Sequence, residues 1–171
     1  DLNGDRLAGL LHGGENFDTD YVEELLIATV DAALVLQNVA LAAESHGLGI
    51  CMIGAIRIHP KAVGKLLNLP PLVYAVAGLC LGYPAKDQQQ KPRLPLETIL
   101  HHERYPEDDQ QINHIKGYDQ TMVEFYSSQA MHDKDPRWSK VMAARTARFH
   151  ERAELDEYLS DQGFHFKSST P

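Results

Sequence analysis

Residues 21–57 read YVEELLIATVDAALVLQNVALAAESHGLGICMIGAIR. From Tyr21 to His46 the pattern is helical and apolar on nearly every side: Leu25, Leu26, Ile27, Val30, Leu34, Val35, Leu36, Val39 and Leu41. Thr19 or Asp20 supplies an N-cap, with Glu23 three residues after Asp20. Such a helix spans on the order of 40 Å. Glu23, Glu24, Asp31, Gln37, Asn38 and Glu44 interrupt it, which argues against a membrane span. A helix apolar nearly all round is a central one, covered by other elements or by a second subunit. Gly47 and Gly49 stop it. Ile50 to Ile53 then predicts a short buried strand that runs out into Gly54-Ala55-Ile56-Arg57.

Outward from this segment, His59-Pro60 opens a short helix to Leu67, since proline suits a first helical turn. Asn68 and Pro70-Pro71 close it. Val73 to Leu81 predicts a second buried strand, ending at Gly82-Tyr83-Pro84. Lys91-Pro92-Arg93-Leu94-Pro95 is rigid and extended because of its prolines. Leu96 to Leu100 reads as a short strand or a turn. Helical patterns follow over Asp108–Ser127, Pro136–Ala147 and Arg148–Gln162, with Gly163 as the last stop. Residues 1–18 read as a polar, turn-rich loop. Two strands make a poor sheet. Another chain or a preceding segment is expected to supply the rest.

The chain of 171 residues is 43% hydrophobic and 23% charged, which excludes wholesale disorder and fits one domain over 1–171. Its net charge of -8 argues against a nucleic-acid binder. Two cysteines, Cys51 and Cys80, exclude a disulfide scaffold and a Cys-based zinc module, and fit a cytoplasmic protein. Both lie in apolar runs and read as packing residues. The chain opens at Asp1 without a signal segment, so a processed or partial sequence is expected.

Three places could carry chemistry. In an extended backbone residues i and i+2 share a side, so Lys91 and Arg93 converge across Pro92. Two converging cations suit a phosphate; the same residues also read as a solvated basic loop. Gly54-Ala55, after a strand, would let backbone amides approach a flat ring or an anion, or would simply turn the chain. Residues 134–152 hold Lys134, Arg137, Lys140, Arg145, Arg148 and Arg152 against Asp135 and Glu151. This reversal of the overall charge suits an anionic ligand, or a helix with snorkelling basic side chains. His101-His102-Glu103 lacks a metal-ligand spacing. No nucleophile elbow or P-loop is present, and Gly47-Leu48-Gly49 lacks the rest of a dinucleotide fingerprint.

Taken together, Gln37 through Gly49, Ile53-Gly54-Ala55-Ile56-Arg57, Gly78-Leu79-Cys80-Leu81-Gly82-Tyr83-Pro84 and Lys91-Pro92-Arg93-Leu94-Pro95 resemble the FMN-dependent nitroreductase family. The branch is that of bacterial oxygen-insensitive NADPH nitroreductases and flavin reductases. The resemblance implies an α+β fold, with helices around a small sheet, and a homodimer with FMN at its interface. It implies that Lys91 and Arg93 hold the FMN phosphate and that the backbone of Ile53, Gly54 and Ala55 lies against the ring. Many relatives have a second glycine where Ala55 stands. Arg152 is carried over for the nicotinamide or substrate side, and Lys134 for the 2′-phosphate of NADPH. Gln129 stands where close relatives carry arginine, which leaves NADPH and NADH both open as donor.

The implied activity is ping-pong transfer from NAD(P)H through FMN to a small acceptor: a nitroaromatic, a quinone or free flavin. No nucleic acid and no membrane is an expected partner. The resemblance also implies an absent N-terminal segment bearing further FMN contacts. The rival expectation is a flavin-free remnant serving only as a dimerisation module.

Overall fold

The computed structural model describes residues 2–12, 22–86, 89–129, 135–148 and 152–166. They belong to two compact units, one from residues 1–86 with 151–171 and one from residues 87–150. The first holds helices α1 (Asn3–Leu11), α2 (Val22–Ser45), α3 (Pro60–Leu67) and α6 (Glu154–Asp161) and strands β1 (Gly49–Ile53) and β2 (Gly78–Gly82). The second holds a 3-10 turn at Leu96–Thr98, then α4 (Asp108–Ser128) and α5 (Trp138–Thr146). The class is α+β.

Helix α2 forms where its pattern predicts, although the expected caps Thr19 and Asp20, and Tyr21, lie outside the described residues. At its end Gly47 takes φ 76°, the Gly47 N–H donates to the Glu44 carbonyl at 2.9 Å, and the Leu48 N–H donates to the Ala43 carbonyl at 3.1 Å. This left-handed stop is one a glycine adopts without strain, and it aims the chain into β1. The described residues leave most of the expected covering unmade. Only Ala28, Ala40 and Ala43 are buried on α2, while Leu26, Ile27, Val30, Leu34, Val35, Val39 and Leu41 are exposed.

The two strands pair antiparallel in the register Gly49↔Gly82 through Ile53↔Gly78. Both were expected to be buried; instead Cys51, Met52, Cys80 and Leu81 are exposed. The second strand is also shorter than Val73–Leu81. Before Gly78 the backbone has other partners: the Leu72 N–H donates to the Gln162 carbonyl at 2.8 Å, and the Arg57 guanidinium donates to the Val76 carbonyl. The Val76 carbonyl is thus taken by a side chain rather than by a ladder partner.

The N-terminal loop expectation is likewise corrected, since Asn3–Leu11 is helical. Asn-Gly-Asp favours a turn, but tertiary anchoring outweighs it. Leu2 is buried, and its N–H donates to the Leu72 carbonyl at 3.1 Å. Arg6 Nη2 donates back to Asn3 Oδ1 at 2.7 Å. Leu2, Ala28, Leu72, Leu159 and Phe164 form the core of this unit, with Leu25, Tyr74 and Leu155 against it. Tyr74 meets Phe164 edge to face at 5.9 Å, and its hydroxyl hydrogen-bonds the Thr29 hydroxyl. Leu72 holds φ 63° there, clamped through both its backbone groups.

The last helix begins at Glu154 rather than Arg148. Its first turn carries Glu154, Asp156 and Glu157, which suit the positive end of a helix dipole, whereas the arginines before it do not. Against it lies α3, where Lys61 Nζ meets Glu157 Oε1 at 2.7 Å and Asp161 Oδ2 at 3.3 Å. These carboxylates raise the lysine pKa against the opposing effect of burial.

Candidate functional site

The predicted site residues fall in both units. In the first, β1 ends at Ile53 and the chain enters a single 3-10 turn, Gly54–Arg57. Ile53 and Gly54 are half-buried and Ala55 is exposed. A Cβ on Gly54 would stand 3.3 Å from Arg57 Nη2. A side chain there would require the guanidinium that binds Val76 to give way by a few tenths of an ångström. Neither Gly54 nor Ala55 has left-handed backbone, so the Ala55 methyl is carried without strain. Arg152 is half-buried, just ahead of α6. Lys134 lies outside the described residues.

In the second unit, exposure alternates along Lys91, Pro92 and Arg93: both cations are exposed and the proline is half-buried. The Pro92 carbonyl accepts a 2.8 Å hydrogen bond from the Tyr118 hydroxyl of α4. Tyr118 is buried and packs edge to face on Trp138 at 6.1 Å. Lys91 Nζ stands 5.5 Å from the centre of the Tyr126 ring. Among the described residues neither Lys91 nor Arg93 has a carboxylate partner. Two exposed cations thus flank a backbone pinned between them, an arrangement whose chemistry suits an anion such as a phosphate. Tyr118 and Tyr126 were not legible as site residues, because each meets the basic segment only through the fold.

Part of the basic stretch is neutralised within itself. Asp135 accepts from the Arg137 backbone N–H at 3.1 Å, from Arg137 Nε at 2.9 Å and from Lys140 Nζ at 3.0 Å. The Arg137 and Lys140 side chains hold the Asp135 carboxyl well below the usual carboxylate range. Its folded pKa lies below its unfolded one, so its contribution is present at neutral pH and is lost as pH falls through the depressed value. The melting difference between Asp135→Asn and the parent is therefore expected to be small at neutral pH and to close only in strong acid. Thermal melts at both pH values check this, and a pH-independent difference would contradict it. Asp119 caps α5 beside this cluster, accepting from the Ser139 N–H at 2.8 Å and from its hydroxyl. His101 packs on Tyr105 at 4.7 Å, and Glu103 takes φ 64°. Among the described residues no group of three or more His, Cys, Asp or Glu side chains is placed to hold a metal ion.

Residues 22–83 match the nitroreductase family, and residues 91–167 match the nitroreductase family C-terminal domain. The solved structure of the hypothetical oxidoreductase YcnD from Bacillus subtilis is 35% identical. It aligns over 98% of this chain and 68% of its own, with a TM-score of 0.93. The chain belongs to the nitroreductase family. The FMN reductase (NAD(P)H) of Bacillus subtilis is 36% identical to this nitroreductase-family chain over 154 residues, 90% of the chain and 61% of that protein. The oxygen-insensitive NADPH nitroreductase of Salmonella typhimurium is 39% identical over 142 residues, 83% of the chain and 58% of that protein. The chain thus spans about three fifths of these curated relatives. Their names agree with the nitroreductase and flavin-reductase branch of the family.

Proposed function

We propose that this chain is the greater part of an FMN-dependent oxidoreductase that uses NADPH or NADH. The carrying observation is the pair of cations Lys91 and Arg93, without carboxylate partners among the described residues and fixed through Tyr118 to Pro92. Relatives named FMN reductase and NADPH nitroreductase support the reading. Lys91 and Arg93 neutralise the cofactor phosphate, and the backbone of Ile53, Gly54 and Ala55 lies against its ring. Lys134 and Arg152 serve the donor dinucleotide and the acceptor side. Bound FMN supplies two-electron transfer between a nicotinamide donor and an acceptor that bind in turn. Acceptors of this class are nitroaromatics, quinones and free flavin.

The functional form is read as a homodimer of one nitroreductase-like domain over 1–171. The exposed apolar residues of α2 support this, because patches of that size seek a partner. By length and composition alone α2 could cross a membrane. The alignment of 98% of the chain to a solved family member instead supports a helix integral to the fold, and the enzyme is read as cytoplasmic on its cysteine usage.

The first test is an absorbance spectrum after FMN addition and desalting. Retained flavin at about one per subunit is expected. A colourless protein would overturn the reading in favour of a flavin-free dimerisation module. A finer test is Tyr118→Phe. A neutral hydrogen bond contributes about 0.5–1.5 kcal/mol, so FMN affinity should fall by roughly 2- to 10-fold with both cations still present. A flavin titration that shows no change would detach Tyr118 from the site.

A further inference from the structure

We propose that Tyr126 is a positioning residue for the flavin phosphate: its ring holds the Lys91 ammonium in the pose that tells FMN from an unphosphorylated flavin. Such a role rests on the FMN reading above, and every contact that defines it lies within the second unit.

Helix α4 meets the basic segment at three points, in reverse chain order. The Tyr118 hydroxyl donates to the Pro92 carbonyl at 2.8 Å. Lys91 Nζ stands over the Tyr126 ring, 5.5 Å from its centre. Gln129 Nε2 donates to Gln89 Oε1 at 3.2 Å. Residues 118, 122, 126 and 129 follow one another at helical spacings, so they form one stripe. Met122, in the middle of that stripe, is buried. The segment therefore runs against one face of α4, held at Gln89 and at Pro92 with Lys91 between them.

The contacts differ in what they fix. Tyr118 holds backbone, and so sets where the Lys91 side chain starts but not where its ammonium ends. A lysine stem is flexible, and its rotamer freedom is lost when the ammonium binds an anion. A ring within about 6 Å attracts the ammonium to its negative face and narrows that freedom beforehand. Phe125 meets the Tyr126 ring edge to face at 5.3 Å and steadies it. The ammonium has three N–H donors and the ring takes up one side of it, so donors remain for phosphate oxygens. Part of the ordering that phosphate binding requires is thus present in the folded chain. Lys91 addresses the phosphate, so this ordering acts on FMN and not on riboflavin, which has the same ring without the phosphate. Tyr126 determines specificity through Lys91 and touches no reacting atom.

The test compares FMN and riboflavin in fluorescence titrations of the purified chain, Tyr126→Leu, Tyr126→Phe, Lys91→Ala and the Lys91→Ala/Tyr126→Leu double variant, each with a thermal melt. Tyr126→Leu is expected to weaken FMN by roughly 2- to 5-fold, the equivalent of about 0.5–1 kcal/mol for a cation–π contact, with riboflavin affinity unchanged. Tyr126→Phe keeps the ring and should bind FMN as the parent does. In the Lys91→Ala background Tyr126→Leu should add no further loss. Before any flavin is added, the Lys91 side-chain protons should show a ring-current shift in NMR spectra, kept in Tyr126→Phe and absent from Tyr126→Leu. Tyr126→Met, unbranched and adaptable, repeats the comparison if the leucine variant melts early. Equal losses for FMN and riboflavin would make Tyr126 a structural residue only and overturn the proposal. So would a missing ring-current shift in the parent, or a further loss on top of Lys91→Ala. If the parent binds no FMN, or Lys91→Ala leaves its affinity unchanged, the phosphate reading fails and this role fails with it. If Lys91→Ala weakens FMN and Tyr126→Leu does not, the phosphate reading stands and the role of Tyr126 alone falls.

Discussion

Replacing Lys91 and Arg93 together with alanine is expected to raise the FMN dissociation constant by about two to four orders of magnitude. A hydrogen bond to a charged group contributes roughly 1.5–3 kcal/mol, and two such losses convert to about that factor. The protein should stay folded. Both side chains are exposed, and among the described residues neither has a carboxylate partner that would be stranded by the change. Arg93→Lys separates charge from shape: it keeps the cation but loses the planar fork, so it should fall between the parent and Arg93→Ala. Raised salt should weaken FMN binding to the parent more than to the double variant, because the phosphate attraction is the part that salt screens. Flavin fluorescence titrations with parallel thermal melts read all of this. Unchanged affinity in a folded double variant would remove the phosphate from this segment.

The basic segment was legible because proline fixes the backbone and thus the side on which its neighbours lie. What holds it was not legible. Tyr118 looks like any aromatic residue on the inner face of α4, and only the fold brings its hydroxyl to the Pro92 carbonyl. The same division runs through the first unit. The helix–glycine–strand passage from Val22 to Ile53 is local physics: periodicity, a left-handed glycine, then an apolar run. Helix α1 depends on Leu2 meeting Leu72, and the start of β2 depends on Arg57 reaching Val76. These contacts are distant in sequence, and local propensity gave the opposite answer at both places. Apolar runs at β1 and β2 suggested burial of Cys51 and Cys80, but a run does not say what covers it.

Gly64→Ala is expected to lower Tm by roughly 2–10 °C, the second large effect. Alanine is intrinsically better than glycine in a helix by about 1 kcal/mol, so the local term favours the substitution. Packing opposes it. The new Cβ would stand 2.2 Å from the Tyr158 hydroxyl oxygen, 2.9 Å from its Cζ and 3.1 Å from its Cε2. Tyr158 cannot easily yield, being only 4% exposed and next to Leu159 in the core. With a contact this short against a buried ring the overpacking cost lies at or slightly above the top of the usual range of about 1–3 kcal/mol, leaving about 1–2.5 kcal/mol after the helix term, at roughly 2–4 °C for each net kcal/mol. The hydroxyl itself is buried without a hydrogen-bond partner, and burial pushes its pKa up. Tyr158→Phe alone should therefore be neutral or mildly stabilising, since it removes an unsatisfied polar atom and leaves the ring. In the Gly64→Ala background it should recover only part of the loss, because the ring carbons remain too near after the oxygen is gone. The double-mutant coupling is expected at about 0.5–3 kcal/mol. Additive effects, or a Gly64→Ala chain as stable as its parent, would mean that α3 does not lie against Tyr158 at this distance.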